Sequence, residues 1–368
     1  MIKVKYPVIN PFKIDVSPME RLLLVNFEKD PDSVYMGFEP QVFNDGVHGK
    51  GHLVIGWRLD GKVDVYHEAS LFLDPKTYSI TGKGLGNMVE TDFSKALYEV
   101  NERGVDAFYE FEDLHHRKVK VLVKENFTKK RKPFGLLAPM GAAVENPFSM
   151  PLVLLHDFYF VRKKSTEIHI HIGEKSHQAD ELPLPIDGSK MLFTRYSPKP
   201  LIVTFNPAFD GIVTSTEVEP EKGRITLPED EVDLEIEWVD RSPRIKRIIR
   251  KNNIHPLILE FTEAFPDIFG LMKEDNFKPI VKGGFSIQFH PSIGSVGGEY
   301  SVEKIHDQIK ITLIPSKGWH PRPTKLSLFI LYNVAKIFKS WPKTYEWTAL
   351  LKEDEEGRLF MQSKWKRT

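Results

Sequence analysis

The chain has 368 residues, more than one ordinary hydrophobic core organises, so two domains are the default expectation. Hydrophobic residues at 41% and charged residues at 28% exclude a disordered chain, while 51 Lys plus Arg against 51 Asp plus Glu argue against a whole-chain grip on nucleic acid or anionic lipid. The absence of cysteine excludes disulfides, thiolate catalysis, cysteine-based zinc sites and iron–sulfur ligation together.

In chain order, most segments carry the period of two that marks a strand with one buried face. Pro18 to Phe27 is ambiguous. Leu53, Ile55, Trp57 and Leu59 share a face, and after the Asp60-Gly61 turn Val63, Val65, His67 and Ala69 do the same. Val105, Ala107, Tyr109 and Phe111 are answered by Val119, Val121 and Val123, with Glu110 and Glu112 meeting Lys118 and Lys120 on the wet side. An almost uncharged connection, Pro133 to Met150, runs into Pro151 to Val161, a strand apolar on both faces except at His156 and Asp157. Ile168, Ile170 and Ile172 alternate with Glu167, His169 and His171.

Asn206 to Asp230, with Pro207, Pro220, Pro228, Gly211 and Gly223, reads as the seam between a domain of residues 1–210 and a second of 211–368. Val232, Leu234, Ile236 and Trp238 resume the strand pattern, as do Ile309, Ile311 and Leu313. Arg244 to Lys251 places Ile245, Ile248 and Ile249 on one side of a helix. The best helix is Leu326 to Lys339, with Leu328, Leu331, Tyr332, Ala335 and Phe338 at helical spacing and Trp341-Pro342 as its stop. The expectation is an all-β, mainly antiparallel fold of two barrel or sandwich domains with one or two short helices. The larger first domain carries the apolar loop 133–150, and the second carries the helix near 326–339.

Ionisable groups on apolar strand faces are the candidate site residues. In a regular strand His156 lies with Leu152, Leu154 and Phe158, and Asp157 with Val153, Leu155 and Tyr159, so the two cannot form a dyad. Each is either a general acid or base in a pocket wall or a satisfied structural group. His67 shares the inward face of Val63 and Val65 and is the group His156 would meet inside a barrel. Arg195 and Tyr196 are placed to orient a substrate, Arg195 through a carboxylate or phosphate or as the partner of Asp157. The loop 133–150 suits a lid, with Gly135 and Gly141 as hinges and Glu145 and Asn146 as its polar fixtures, or equally a segment packed on a barrel end. His169 and His171 face solvent opposite the isoleucines, so no native metal site is expected. Trp319, Trp341 and Trp347 either stack on a sugar or protein surface or close a barrel end.

No nucleophile elbow, Walker loop, dinucleotide fingerprint or zinc-protease motif occurs. Two β-rich halves of this size, with the run Gly283-Gly284-Phe285-Ser286-Ile287 through Gly298-Glu299-Tyr300-Ser301-Val302, resemble tandem lipocalin-like proteins, the group of the bacterial carotenoid hydratases and their uncharacterised relatives. That resemblance implies a barrel cavity for an apolar ligand, with any chemistry acid–base and free of organic cofactors. It supplies no catalytic residue.

The expected function is binding of a hydrophobic or amphipathic small molecule in a β-barrel cavity of the first half. If the protein is an enzyme, hydration or isomerisation is the class, with His67, His156 or Asp157 as acid or base. The alternative is a non-catalytic carbohydrate- or protein-binding sandwich that uses the aromatic residues of the second half. No cofactor, nucleic-acid partner or integral membrane association is expected. With no signal-peptide pattern in Met1 to Ser17, a cytoplasmic location is expected.

Overall fold

The computed structural model describes residues 5–127, 131–141, 143–183, 185–186, 188–228, 231–273, 280–323, 325–334 and 336–368. The fold is all-β, with antiparallel sheets, one of them curled into a half-barrel, and four short helices among the described residues. A ten-stranded sheet is built from residues 14–205 together with a parallel edge strand, Leu85–Glu90. A second ten-stranded sheet runs from Phe209 to Arg367. A five-stranded sheet of residues 95–125 and 166–177 covers one face of the first.

Burial on both faces explains the doubly apolar strand Met150–Arg162, in which Met150 to Leu155 are all buried, and the same holds further along its sheet. In the first sheet Leu53, Ile55, Val63 and Val65 join one core while Val54 and Tyr66 join another, under Val105, Tyr109, Val121 and Ile170 of the five-stranded sheet. The Asp60-Gly61 hairpin forms as the sequence requires, and Lys118 pairs with Glu110 at 2.7 Å on the wet side of the five-stranded sheet. His169 is exposed, as its alternation with the isoleucines requires.

Arg244 to Lys251 is not helical. All of it but Lys251 lies within the strand Ser242–Arg250, where two steps from Ile245 to Arg247 meet one step from Glu235 to Ile236 on the neighbouring strand and so add a residue to the count. The shift brings Ile245 and Ile248 to the same core at a spacing of three, which imitates a helix turn. Arg247 bridges Glu260 at 2.6 Å and Glu235 at 3.4 Å, a cross-strand ladder and not a helical face. The expected helix is present as two, Leu326–Val334 and Lys336–Ser340; Ala335 lies outside the described residues.

The seam is itself structured. Phe209–Ile212 pairs with the last strand, Ser215–Val218 pairs with Tyr6–Ile9, and Arg224–Leu227 pairs with Val232–Val239; Glu229 and Asp230 lie outside the described residues. The amino-terminal segment thus crosses to the second half. Phe12 inserts its ring among Phe261, Phe265 and Trp347 at centroid distances of 5.3, 4.9 and 5.6 Å. One continuous core therefore joins Phe12, Phe134, Leu154 and Phe205 to Phe261, Trp347 and Trp365.

Loop 133–150 begins as a strand, Phe134–Ala138, paired to Met150–Arg162 and wedged against the second half; Ala142 lies outside the described residues. Tyr332 donates its hydroxyl to the Gly135 carbonyl at 2.7 Å, Trp341 Nε1 donates to the Met140 carbonyl at 2.8 Å, and Tyr345 donates to the Gly141 carbonyl at 3.1 Å. Its two glycines mark close approach, since a Cβ on Gly135 would sit 2.0 Å from the Ser292 carbonyl oxygen and Gly141 holds φ +67° against the Tyr345 hydroxyl. Gly135→Ala should therefore lower stability by about 1–3 kcal/mol through overpacking, read from the urea midpoint. An unchanged midpoint would show that the segment stands off the second half.

Candidate functional site

One cavity lies where the amino-terminal segment crosses to the second sheet. Among the described cavities the largest holds about 550 Å³, within the usual range for a small-molecule site. Its floor is Leu234, Trp347, Met361 and Ser363 of that sheet; Val8 and Phe12 cross over it, and Phe209, Ile212 and Val213 close the side. Three polar groups of its lining residues are buried with no hydrogen-bond partner among the described residues: Trp347 Nε1, Asn206 Nδ2 and Ser363 Oγ. Asn206 is committed through its other atoms, with Oδ1 accepting from the Lys13 amide at 2.9 Å and its carbonyl accepting from Trp365 Nε1 at 2.6 Å. An unmade hydrogen bond on a buried donor costs about 1–3 kcal/mol, and an acceptor reaching Trp347 Nε1 or Asn206 Nδ2 would relieve it. Lys13 is the one ionisable lining residue, which fits the cavity for binding and not for proton transfer.

The expected site residues are dispersed. Between the strands of His67 and His156 lie four others, Met191–Ser197, Arg21–Asn26, Tyr35–Asp45 and Gly49–Arg58, so the two histidines do not meet. His67 is half-buried, with Nδ1 3.0 Å from the Glu68 carbonyl. At His156 the strand is irregular: Leu136 pairs with Leu155 and Phe134 with Phe158, so two steps on one strand meet three on the other. The extra residue is a β-bulge at 156–157, which breaks the simple alternation at the pair itself.

His156 instead meets the second half. Its ring lies 5.4 Å from that of His290, which lies 5.5 Å from His255. Desolvation lowers the pKa of His156, with Asp157 opposing and Lys199 adding to the shift. Desolvation likewise lowers His290, reinforced by repulsion from His156 and His255. His290 Nδ1 lies 2.8 Å from Ser292 Oγ, which is a turn interaction across two residues. Among the described residues no group of three His, Asp or Glu is disposed to hold a metal ion. Asp157 faces Tyr159, whose hydroxyl is pushed up first by burial and then by that carboxylate.

Arg195 and Tyr196 diverge. Tyr196 is buried, stacks on Tyr159 at 5.2 Å, and receives Arg131 Nη2 at 2.9 Å in a network with Glu125. Arg195 faces the other way and donates to Asn26 Oδ1 at 2.6 Å and the Phe193 carbonyl at 3.0 Å. Glu145 and Asn146 are exposed. None of the seven expected residues lines any of the three described cavities.

Arg195 leads to a buried acid that alternation had the means to reveal. Glu39 and Gln41 share the face of Phe43 in Tyr35–Asp45, and both are buried. Glu39 Oε1 accepts from Gln41 Nε2 at 2.7 Å and Oε2 from Trp57 Nε1 at 3.1 Å. Burial outweighs these donors and the attraction of Arg195, and pushes the Glu39 carboxyl up to about 7. The same burial brings Arg195 down to about 10, against the pull of Glu39 and Glu28. A smaller cavity of about 390 Å³ is lined by several ionisable residues, Glu20, Arg21, Lys50, His52 and Glu68. There His52 Nδ1 lies 2.9 Å from the Tyr109 hydroxyl, and desolvation lowers the His52 pKa.

No family model, curated protein or solved structure matches the chain.

Glu39 has a consequence for stability. The folded state keeps its proton up to about pH 7 while the unfolded carboxyl releases it near 4.5, so stability falls as pH rises through that window. Glu39→Gln should remove that slope and gain about 1–3 kcal/mol at pH 8 relative to the parent. Urea melts at pH 4.5 and pH 8 measure it; parallel losses in both proteins would show that Glu39 ionises normally.

Proposed function

We propose that this protein binds a hydrophobic or amphipathic small molecule in the cavity where the amino-terminal segment crosses to the second sheet. The observation that carries the reading is a cavity of about 550 Å³, of mixed apolar and polar lining, whose lining residues include three buried, unpartnered polar groups. An apolar body would fill the space between Phe12, Leu234 and Met361. A carbonyl, carboxylate or hydroxyl oxygen would accept from Trp347 Nε1 and Asn206 Nδ2. The cavity is lined from both halves, by Val8, Phe12, Lys13 and Asn206 of the first and by Leu234, Trp347, Met361 and Ser363 of the second. Burial of Trp319, Trp341 and Trp347 supports this reading over surface stacking on a sugar or protein, which needs those rings exposed. The likeness to tandem lipocalin-like proteins points the same way.

A second reading, proton-transfer chemistry, is favoured by one observation. His52, kept neutral by desolvation and touching Tyr109, opens on the smaller cavity with Glu20 and Glu68 beside it. Hydration or isomerisation by protonation would fall there and not at His67, His156 or Asp157.

Titration with a medium-chain fatty acid and its alcohol, followed by native mass spectrometry, tests the binding reading. Met361→Trp, which fills the cavity, should weaken uptake at least about tenfold, and Trp347→Phe, which deletes one donor, by about threefold to tenfold. Unchanged uptake by Met361→Trp, with the melting temperature kept, would place the ligand elsewhere.

A further inference from the structure

Charge balance over the whole chain conceals a one-sided segment. Between residues 317 and 345 there are six Lys or Arg residues, Lys317, Arg322, Lys325, Lys336, Lys339 and Lys343, and no Asp or Glu. Among the described residues Lys317, Arg322, Lys336, Lys339 and Lys343 form no ion pair with a carboxylate. The helices Leu326–Val334 and Lys336–Ser340 lie in the middle of this segment.

Those helices are apolar on the wrong side as well as the right one. Inward, Tyr332 and Phe338 pack on Trp319 at 5.0 and 5.4 Å, and Leu328 is buried. Outward, Leu326 is 75% exposed, Phe329 53%, Ile330 43% and Ile337 43%. A surface helix normally turns a polar face to water; one that is apolar around most of its circumference belongs in a core or against an apolar medium. Here four large side chains stand in solvent among unpaired ammonium and guanidinium groups.

We propose that this helical pair is a peripheral docking surface for an anionic lipid bilayer. Leu326, Phe329, Ile330 and Ile337 would enter the headgroup and acyl boundary, while Lys336, Lys339, Lys343 and Arg322 meet lipid phosphates. No described helix is long and apolar enough to cross a membrane, so the contact is interfacial. A second copy is a poor occupant. Two-fold pairing of this face would oppose cation to cation with no acid of the segment to relieve it. The inference rests on none of the cavity argument and stands if that argument fails.

Co-sedimentation of the full chain with vesicles tests it, using phosphatidylcholine alone and an equal mixture of phosphatidylcholine and phosphatidylglycerol. The protein should pellet with the mixed vesicles at low salt, much less with phosphatidylcholine, and less as salt rises. Phe329→Ser with Ile330→Ser should weaken partition at least about tenfold by removing buried apolar area, and Lys336→Glu with Lys339→Glu by a similar factor. All four sites are exposed, so the thermal melts of both variants should match the parent. The proposal is overturned if the parent stays in the supernatant with the mixed vesicles. It is overturned equally if the serine pair binds as the parent does, which would reduce the effect to charge adsorption. Size-exclusion elution of the parent as a dimer that the serine pair abolishes would assign the face to self-association instead.

Discussion

The second sheet does not bury its apolar face by itself, and the rest of the architecture follows from what covers it. Its inward residues, among them Phe261, Phe265, Phe285, Tyr300 and Trp347, form an apolar surface that water would penalise heavily if left open. The cover comes from the other half: Phe12 from the amino-terminal crossing and Phe134, Leu154 and Phe205 from the first sheet all enter the same core. Each large side chain so buried contributes about 1.5–3 kcal/mol. Two ten-stranded sheets thereby become mutually dependent. The hydrogen bonds from Tyr332, Trp341 and Tyr345 to carbonyls of residues 135–141 fix their relative position.

A cover borrowed from distant segments fits imperfectly, and the largest cavity is where it stops. Phe12 fills the ring cluster, yet beyond it Val8, Leu234 and Met361 leave space that no side chain occupies. Among the described residues buried polarity is met in some places and left open in others, Thr194 Oγ1, Ser197 Oγ and Thr344 Oγ1 among the latter. Asp64, fully enclosed in the first sheet, accepts from Tyr35 at 3.1 Å, Arg58 at 3.2 Å and Asn87 at 2.8 Å. Trp347 Nε1 and Asn206 Nδ2 belong with the open ones, and their residues line the cavity.

Most of the strands were legible because a half-buried strand writes its period directly into the sequence, as Ile168, Ile170 and Ile172 do. Bulges defeated that reading. At Ile245 to Arg247 one produced a false helix, and at His156-Asp157 another broke the alternation on which the separation of the pair had been argued. Period also reports which residues share a face without saying which faces meet. His67 and His156 each sit on an apolar face, but four strands intervene, and His156 meets His290 and His255 from the other half. The cavity was illegible for the same reason: its walls come from residues 8–13, 206–216, 226–234 and 347–363, which no local pattern connects. Glu39 was the readable omission, because a Glu and a Gln two apart on the strand face of Phe43 carry the same signal that singled out His156.

Local rules and global fold agree along nearly all of this chain, and such agreement is what gives a sequence one structure. The exceptions therefore carry information. A carboxyl raised to about 7 at Glu39 is a tolerated conflict, because Gln41 and Trp57 supply donors and the proton itself relieves the charge. The outward Phe329 and Ile330 and the inward Trp347 Nε1 have no such internal relief. An apolar side chain in water and a donor out of water are opposite errors of solvation, and folding alone corrects neither. On the two proposals made above, both would be corrected by something from outside the chain: an acceptor-bearing apolar molecule at one place and an apolar, negatively charged surface at the other.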